Sequence, residues 1–334
     1  MAERVLTERA LNRALLARQL LLERAQLPIP RALERMGGLQ NQYAPSGYVG
    51  LWTRVEGFDR DSLTRALERR TIVQGTLMRE TIHLVSRADY WPLAMAIRAA
   101  RRAWALRVDK TATERGQQRR AAELRAALAD GPRGREIDPL VRNHVMLWLD
   151  VVRVPPSGTW ERRRADVYAL AEDWVGPCAA TEEEGLSHLI RRYLGGFGPA
   201  AVSDIARWAG VPIPILTPVA EAMELRRFRD EAGKELLDLP RAPLPDPDTP
   251  APVRFLPHFD ACLLVHVRRT GLLPEEYRAR MFHTKNPFSV GAVLVDGRVA
   301  GAWSHRDGRI VVDAYERLPR EVEDERERLE AFHA

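Results

Sequence analysis

Residues 71–85 read Thr-Ile-Val-Gln-Gly-Thr-Leu-Met-Arg-Glu-Thr-Ile-His-Leu-Val. Apolar and β-branched residues flank a polar Arg79-Glu80 pair, a pattern that predicts two strands around a turn. Helical patterns precede it. Residues 7–22 carry Thr7 as an N-cap and place Leu11, Leu15, Leu16 and Leu20 on one face. A short helix over 30–36 stops at Gly37-Gly38, and residues 59–69 form another. After the hairpin, a long Ala/Arg helix runs from Arg87 to about Lys110. Helices, a hairpin and a closing helix make one winged-helix module over residues 1–112, an arrangement that suits DNA.

The same order returns twice. Helices are expected over 116–130 and 136–149, the latter with Ile137, Leu140, Val141, Val145 and Leu149 at core spacing. A strand over 151–154 and a Pro-Pro-Ser-Gly turn lead to the basic Arg162, Arg163 and Arg164 and to a strand at Tyr168. This is a second winged helix, 113–176. The third, 177–240, begins with a helix over 185–193 that should stop at Gly195-Gly196. Ile205 and Trp208 are core candidates, and 211–216 reads as a connector. A helix follows over 217–226, with Thr217 as N-cap and Pro218 first in the helix. Strands at 225–228 and 236–239 pair across residues 230–233. Irregular spacing argues for tandem domains rather than a short-period solenoid.

A Pro/Asp-rich linker over 240–252 opens the last region, 252–334. Strands are expected at 253–256, 262–267, 292–295, 298–303 and 309–314, with Asp296-Gly297 and Asp307-Gly308 as hairpin turns. An Arg/Glu helix over 319–332 would be a solvated or closing cap. The expected class is therefore α+β: three winged helices and a small C-terminal β-rich domain.

Composition narrows the function. A chain of 334 residues is too long for one ordinary core. No apolar run nears the ~20 residues that a membrane span requires, no signal-peptide pattern opens the chain, and a cytoplasmic location is expected. Cys178 and Cys262 stand far apart, as reduced structural thiols would, and no Cys/His spacing fits zinc. Neither a metal nor a cofactor is expected. The net charge of +5, carried almost entirely by arginine, favours an anionic partner.

Six stretches together resemble the AlkZ-type winged-helix DNA glycosylases. They are Gly38-Leu-Gln-Asn-Gln42, Met78-Arg-Glu-Thr-Ile-His-Leu-Val85, Val154-Pro-Pro-Ser-Gly158, Arg192-Tyr-Leu-Gly-Gly-Phe-Gly-Pro-Ala200, Leu256-Pro-His-Phe-Asp260 and Leu294-Val-Asp-Gly-Arg-Val-Ala-Gly-Ala-Trp303. They occur in family order over nearly the whole chain. The resemblance implies modules arranged around a concave, DNA-sized channel. It implies excision of N7-alkylated guanines, including bulky natural-product adducts and interstrand crosslinks. The family's catalytic signature is Gln-x-Gln or Gln-x-Asp, and Gln40-Asn41-Gln42 is similar to the Gln-x-Gln branch, associated with self-resistance to DNA-alkylating antibiotics. One departure stands out. Where a His-Ala-Asp-Arg-like segment is usual, this chain has His266-Val-Arg268-Arg269, with Arg268 in place of the acid.

The chemistry fits an amide pair. An N7-alkylated guanine is cationic and leaves readily, so its removal needs a held water and electrostatic support rather than a strong acid. A Gln amide both accepts and donates. Gln42 is assigned to the attacking water, and Gln40 to orienting it or contacting the lesion-bearing nucleotide. A neutral amide is a poor base, which restricts the reaction to destabilised lesions. No lysine lies near the motif for a Schiff base, so the enzyme would be monofunctional. Arg79, Tyr43, Arg162, Arg163, Arg164, Arg268 and Arg269 are the expected DNA contacts. His83, His266 and Asp260 are supporting candidates. The partner would be duplex DNA bearing an alkylated guanine, bound by a monomer. The competing class is a DNA-binding protein without catalysis, a regulator or a damage-binding protein.

Overall fold

The computed structural model describes residues 4–108, 110–129, 134–137, 147–164, 166–264, 271–282 and 290–334. Most of the helix expected over 136–149 lies outside them, as do His266, Arg268 and Arg269.

The chain opens with β1 (Val5–Leu6) and α1 (Glu8–Arg18), capped by the Thr7 side chain. Then come α2 (Ile29–Met36), β2 (Leu39–Gln40), α3 (Ala44–Trp52) and α4 (Arg60–Glu68), the last capped by Asp59. The hairpin β3 (Ile72–Thr76) and β4 (Ile82–Ser86) feeds directly into α5 (Arg87–Val108). Next are α6 (Glu114–Leu128), β5 (Arg135–Glu136), β6 (Val151–Arg153), β7 (Val167–Leu170) and α7 (Ala171–Trp174). The third region holds α8 (Glu182–Phe197), α9 (Val202–Ala209), α10 (Ile213–Glu221), β8 (Arg226–Asp230) and β9 (Glu235–Asp238). The last holds β10 (Arg254–Leu256), α11 (Ala261–Leu264), α12 (Arg278–Met281), β11 (Gly291–Val295), β12 (Arg298–Arg306), β13 (Arg309–Ala314) and α13 (Glu321–His333).

The fold is α+β, with three sheets among the described residues. The largest runs β2-β4-β3-β6-β7-β5. Gln74 pairs with Arg153 and Gly75 with Val152, so the first two hairpins, which the sequence assigns to separate modules, share one sheet. The second sheet, β1-β8-β9, takes its edge strand from the start of the chain, with Val5 parallel to Arg229. The third, β10-β11-β12-β13, turns at Asp296-Gly297 and Asp307-Gly308, all four with positive φ as the sequence predicts.

Three expected boundaries are corrected. The helix placed at 185–193 spans Glu182–Phe197 and continues through Gly195-Gly196. It starts one turn early, at a capping box in which the Thr181 hydroxyl and the Glu184 carboxylate satisfy each other's backbone amides. The glycines serve packing instead of termination. A Cβ at Gly196 would collide with the Met36 carbonyl of α2, and one at Gly185 would lie 2.5 Å from the Pro92 carbonyl of α5. The second correction concerns the helix expected over 217–226. It is α10, begun at Ile213 behind Pro212, with Pro218 inside it. Pro214 sits in the first turn, where no intrahelical donor is needed, so the connector is itself helical. Third, Ala261–Leu264 is a helical turn, not the strand expected from Cys262 onward. Asp260 accepts from the Cys262 amide at 3.0 Å and starts that turn.

Charge is buried where α1 crosses the molecule. Arg13 and Arg18 are fully enclosed although they look solvated in sequence. Arg18 forks onto Asp238 at 2.6 and 3.0 Å and also reaches the Leu194 carbonyl. Arg13 pairs with Asp296 and donates to the Thr249 carbonyl at 2.7 Å. Charges this deep persist only when paired and hydrogen-bonded, and α1 thereby joins the second and third sheets. The terminal helix α13 is a packing element. Val322 and Leu329 are buried, Glu325 pairs with Arg24, and Phe332 lies against Trp52 and Trp160.

Candidate active site

Gln40 ends β2, at the edge of the six-stranded sheet, opposite His83 of β4. The strand lasts only two residues, but its hydrogen bonding extends further. Asn41 donates its backbone amide to the Ile82 carbonyl at 2.7 Å. The Ile82 amide in turn donates to the side-chain oxygen of Gln42 at 3.2 Å. The Gln42 side chain thus stands in for the next backbone partner, with its amide held against β4 and the residue exposed. Gln40 is the reverse, 8% exposed. Its oxygen accepts from Arg79 at 2.7 Å, which leaves its NH2 as the group free to donate.

Asn41, the middle residue of the motif, is fully buried and fixes the loop. Its oxygen accepts from the Gly47 amide at 3.0 Å, and its NH2 donates to the Gln74 oxygen at 3.1 Å. Gln74 itself donates to the Ser157 carbonyl at 3.3 Å. A buried amide with both ends satisfied is rigid, because each unpaired end would cost about 1–3 kcal/mol. Sequence reasoning left out both Asn41 and Gln74. The signal was present: polar residues of unbranched or short amide type inside otherwise apolar runs.

Arg79 is not at an open hairpin tip. Arg79 and Glu80 both adopt positive φ, 52° and 58°, and turn the arginine inward. Besides Gln40, its guanidinium donates to the Trp208 carbonyl of α9 at 2.6 Å. Burial lowers its pKa to about 10, and it remains a cation at neutral pH. A positive charge against the Gln40 oxygen polarises that amide and strengthens its NH2 as a donor.

His83 is enclosed beneath the motif. Its Nδ1 lies 3.0 Å from the Thr81 carbonyl, which it reaches as a donor. Burial, reinforced by the nearby Arg79, pushes its pKa down to about 3, so the ring is neutral. Asp260 is also internal. It accepts from Arg54 at 2.8 Å in a pair closed to solvent, so its carboxylate is committed to Arg54.

The basic run divides. Arg162 forms ion pairs with Glu136 and Asp166. Arg163 is exposed, donates to the Tyr43 hydroxyl at 3.1 Å and lies over the Trp160 ring. Arg164 is exposed, and its carbonyl accepts from the Gly158 amide. Tyr43, which follows the Gln motif in sequence, and Arg163, 120 residues further on, both line a cavity of 350 Å³. His258, Trp303 and His305 form its other walls. A separate cavity of 280 Å³ has Glu8, Asp204, Asp230 and Glu231 among its lining residues and, like the first, contains no residue of the motif. Its acidic lining has the wrong sign for a phosphate backbone.

Among the described residues, no group of three His, Cys, Asp or Glu side chains converges as a metal site would need, and no helix is long and apolar enough to cross a membrane. The site is an amide pair fixed by a half-buried arginine and a buried asparagine, on the edge of a sheet in an arginine-rich chain. A description of the AlkZ-like DNA glycosylases matches residues 33–332, and the chain belongs to that family. Among solved structures it is similar to DNA glycosylase AlkZ of Streptomyces sahachiroi, with a TM-score of 0.79 and 21% identity over 98% of this chain and 96% of that one. No curated protein sequence matches the chain.

Proposed function

We propose that the protein is a monofunctional DNA glycosylase that hydrolyses the N-glycosidic bond of N7-alkylguanines in duplex DNA, in alkylation repair or in self-resistance to an alkylating natural product. The observation that carries this reading is the paired geometry of the two glutamines. One is exposed and, among the described residues, hydrogen-bonded at one lone pair; the other is nearly buried and polarised by Arg79. Gln42 keeps its second oxygen lone pair and its NH2 for an attacking water. Gln40 directs its NH2 at that water or at the lesion-bearing sugar. Neither amide can take a proton strongly, so the reaction relies on the cationic leaving group and on electrostatic support of the oxocarbenium-like transition state. With His83 neutral at neutral pH, no general acid is assigned to the leaving base.

The three helix-and-hairpin regions would act as winged-helix modules around a channel for the duplex, with the C-terminal sheet as its fourth side. Arg163, Arg164 and Tyr43 are the proposed DNA contacts within the described residues, and the protein would work as a monomer. The Gln-x-Gln form of the motif supports bulky or crosslinked N7-guanine lesions as substrates.

The test is incubation with duplex DNA carrying an N7-alkylguanine, followed by a search for alkali-labile abasic sites. Parent protein should generate them, and the Gln40→Ala/Gln42→Ala variant should be slower by about 10²-fold or more. No abasic sites from small or bulky adducts, together with tight binding to undamaged duplex, would instead establish a DNA-binding protein.

A further inference from the structure

The third helix-and-hairpin region carries an apolar surface close to the Gln motif. Ile205 and Trp208 of α9 and Leu216 and Ala220 of α10 are buried in one cluster. Three residues, Gly210-Val211-Pro212, join the two helices, and Gly210 takes a φ of 76° in the turn. Such a link is that of a helix-turn-helix, in which the first residues of the second helix meet the DNA. In α10 those residues are apolar. Ile213 is 46% exposed and Ile215 37%, and Pro212 and Pro214 beside them are exposed too. The other large apolar side chains so exposed among the described residues, Val5, Val108 and Val311, stand singly. Lone exposed apolar residues are ordinary, whereas a contiguous patch marks a surface that something covers.

Two observations say what covers it. The first is place. Arg79 donates to Gln40 at 2.7 Å and to the Trp208 carbonyl at 2.6 Å, and a Cβ at Gly210 would lie 3.4 Å from the Arg79 amide nitrogen. From Trp208 to Ile213 the chain spans at most about 18 Å, against ~34 Å for one turn of duplex. A duplex seated on the Gln motif therefore has the patch within one turn of the bond to be cut. The second is charge. The two longest uncharged runs of the chain are 36–53, which contains the motif, and 208–220, which contains the patch, although 29% of the residues are charged. The patch offers phosphates no cation, and Ile and Pro have no side-chain donor or acceptor with which to read base edges. Such side chains fit the deoxyribose faces and base steps of the minor groove, where Ile and Pro act as wedges. An N7 lesion leaves that groove open, because N7 lies in the major groove.

We propose that the first turn of α10, Pro212–Ile215, is a minor-groove contact that lies on the sugars beside the alkylated guanine and holds the strand near Gln42 without engaging phosphate. The placement rests on the glycosylase reading, since it takes the Gln motif to face the duplex.

The test is the affinity of the full chain for a short duplex carrying a tetrahydrofuran abasic analogue, which cannot be excised, over a series of salt concentrations. Ile213→Ser/Ile215→Ser should bind about tenfold more weakly at every salt concentration, with the slope of log K against log salt unchanged, because apolar burial and not counterion release is lost. Ile213→Leu/Ile215→Leu should bind like the parent. Netropsin, which fills the minor groove, should close the gap between the parent and the serine variant. Both side chains are exposed, so the melting temperature should move by no more than about 2 °C. Unaltered affinity in the serine variant, a changed salt slope, a leucine variant as weak as the serine one, or a gap that persists with netropsin would overturn the inference. So would a dimer that the parent forms in solution and the serine variant does not, which would give the patch to a second copy. Abasic-site formation on an alkylated duplex separates the two readings: excision by the parent with unaltered binding in the serine variant removes this contact only, and weakened binding with no excision by the parent removes the glycosylase reading only.

Discussion

At the scale of single residues, Arg79 links two parts of the chain and one catalytic candidate. It joins Gln40 to the Trp208 carbonyl and keeps its charge in spite of burial. Arg79→Leu should therefore lower the excision rate through kcat, by about tenfold or more, with a smaller change in KM, since what is lost is orientation and polarisation of an amide. A change confined to melting temperature would make the arginine a structural brace only. His83 gives a prediction in pH. Its folded pKa of about 3 lies below the ~6.5 of an unfolded histidine, so below pH 6.5 the unfolded chain binds the extra proton. Stability from this group is complete above pH 6.5 and is lost as pH falls toward 3. At pH 5 the loss is about 2 kcal/mol, and burial lowers His258 and His333 in the same direction. Denaturant melts at pH 7 and pH 5 should show this slope, and His83→Gln should reduce it.

Among elements, the sequence was most readable where local chemistry decides. Thr7 caps its helix, and both Asp-Gly pairs turn their hairpins, because each signal acts within four residues. It was least readable where packing overrides propensity. Gly195-Gly196 looks like a helix stop, yet α8 runs through it because α2 needs to approach there. Cys262–Leu264 has strand composition, but the Arg54–Asp260 pair fixes a helical turn. At the candidate site, the two glutamines and Tyr43 were legible as a motif. The inward turn of Arg79 and the buried role of Asn41 were not, because both depend on partners many residues away. The close approach of α8 to α5 carries its own prediction. Gly185→Ala places a methyl 2.5 Å from the Pro92 carbonyl and 2.8 Å from the Ala96 amide nitrogen. Backbone atoms yield poorly, so a loss of about 1–3 kcal/mol is expected in urea denaturation. A loss near zero would mean that the two helices slide apart freely.

Over the whole molecule, buried ion pairs hold the sheets to one another. Asp238 accepts from both Arg18 and Arg226 in an enclosed position. Asp238→Asn would leave Arg18 without a counter-charge, at a cost of about 3–5 kcal/mol. The expected result is a clear drop in the denaturation midpoint, with aggregation on mild warming. The same arginines bear on synthesis. The acids that neutralise Arg18 and Arg13 lie 220 and 283 residues further along the chain. While the ribosome is still making the third and fourth regions, α1 carries two cations that have no home, and β1 has no strand to join. The segment that carries β1 and α1 is thus among the last to settle. A nascent chain stalled before Asp238 would expose that segment to proteases, and one released after Asp296 would bury it.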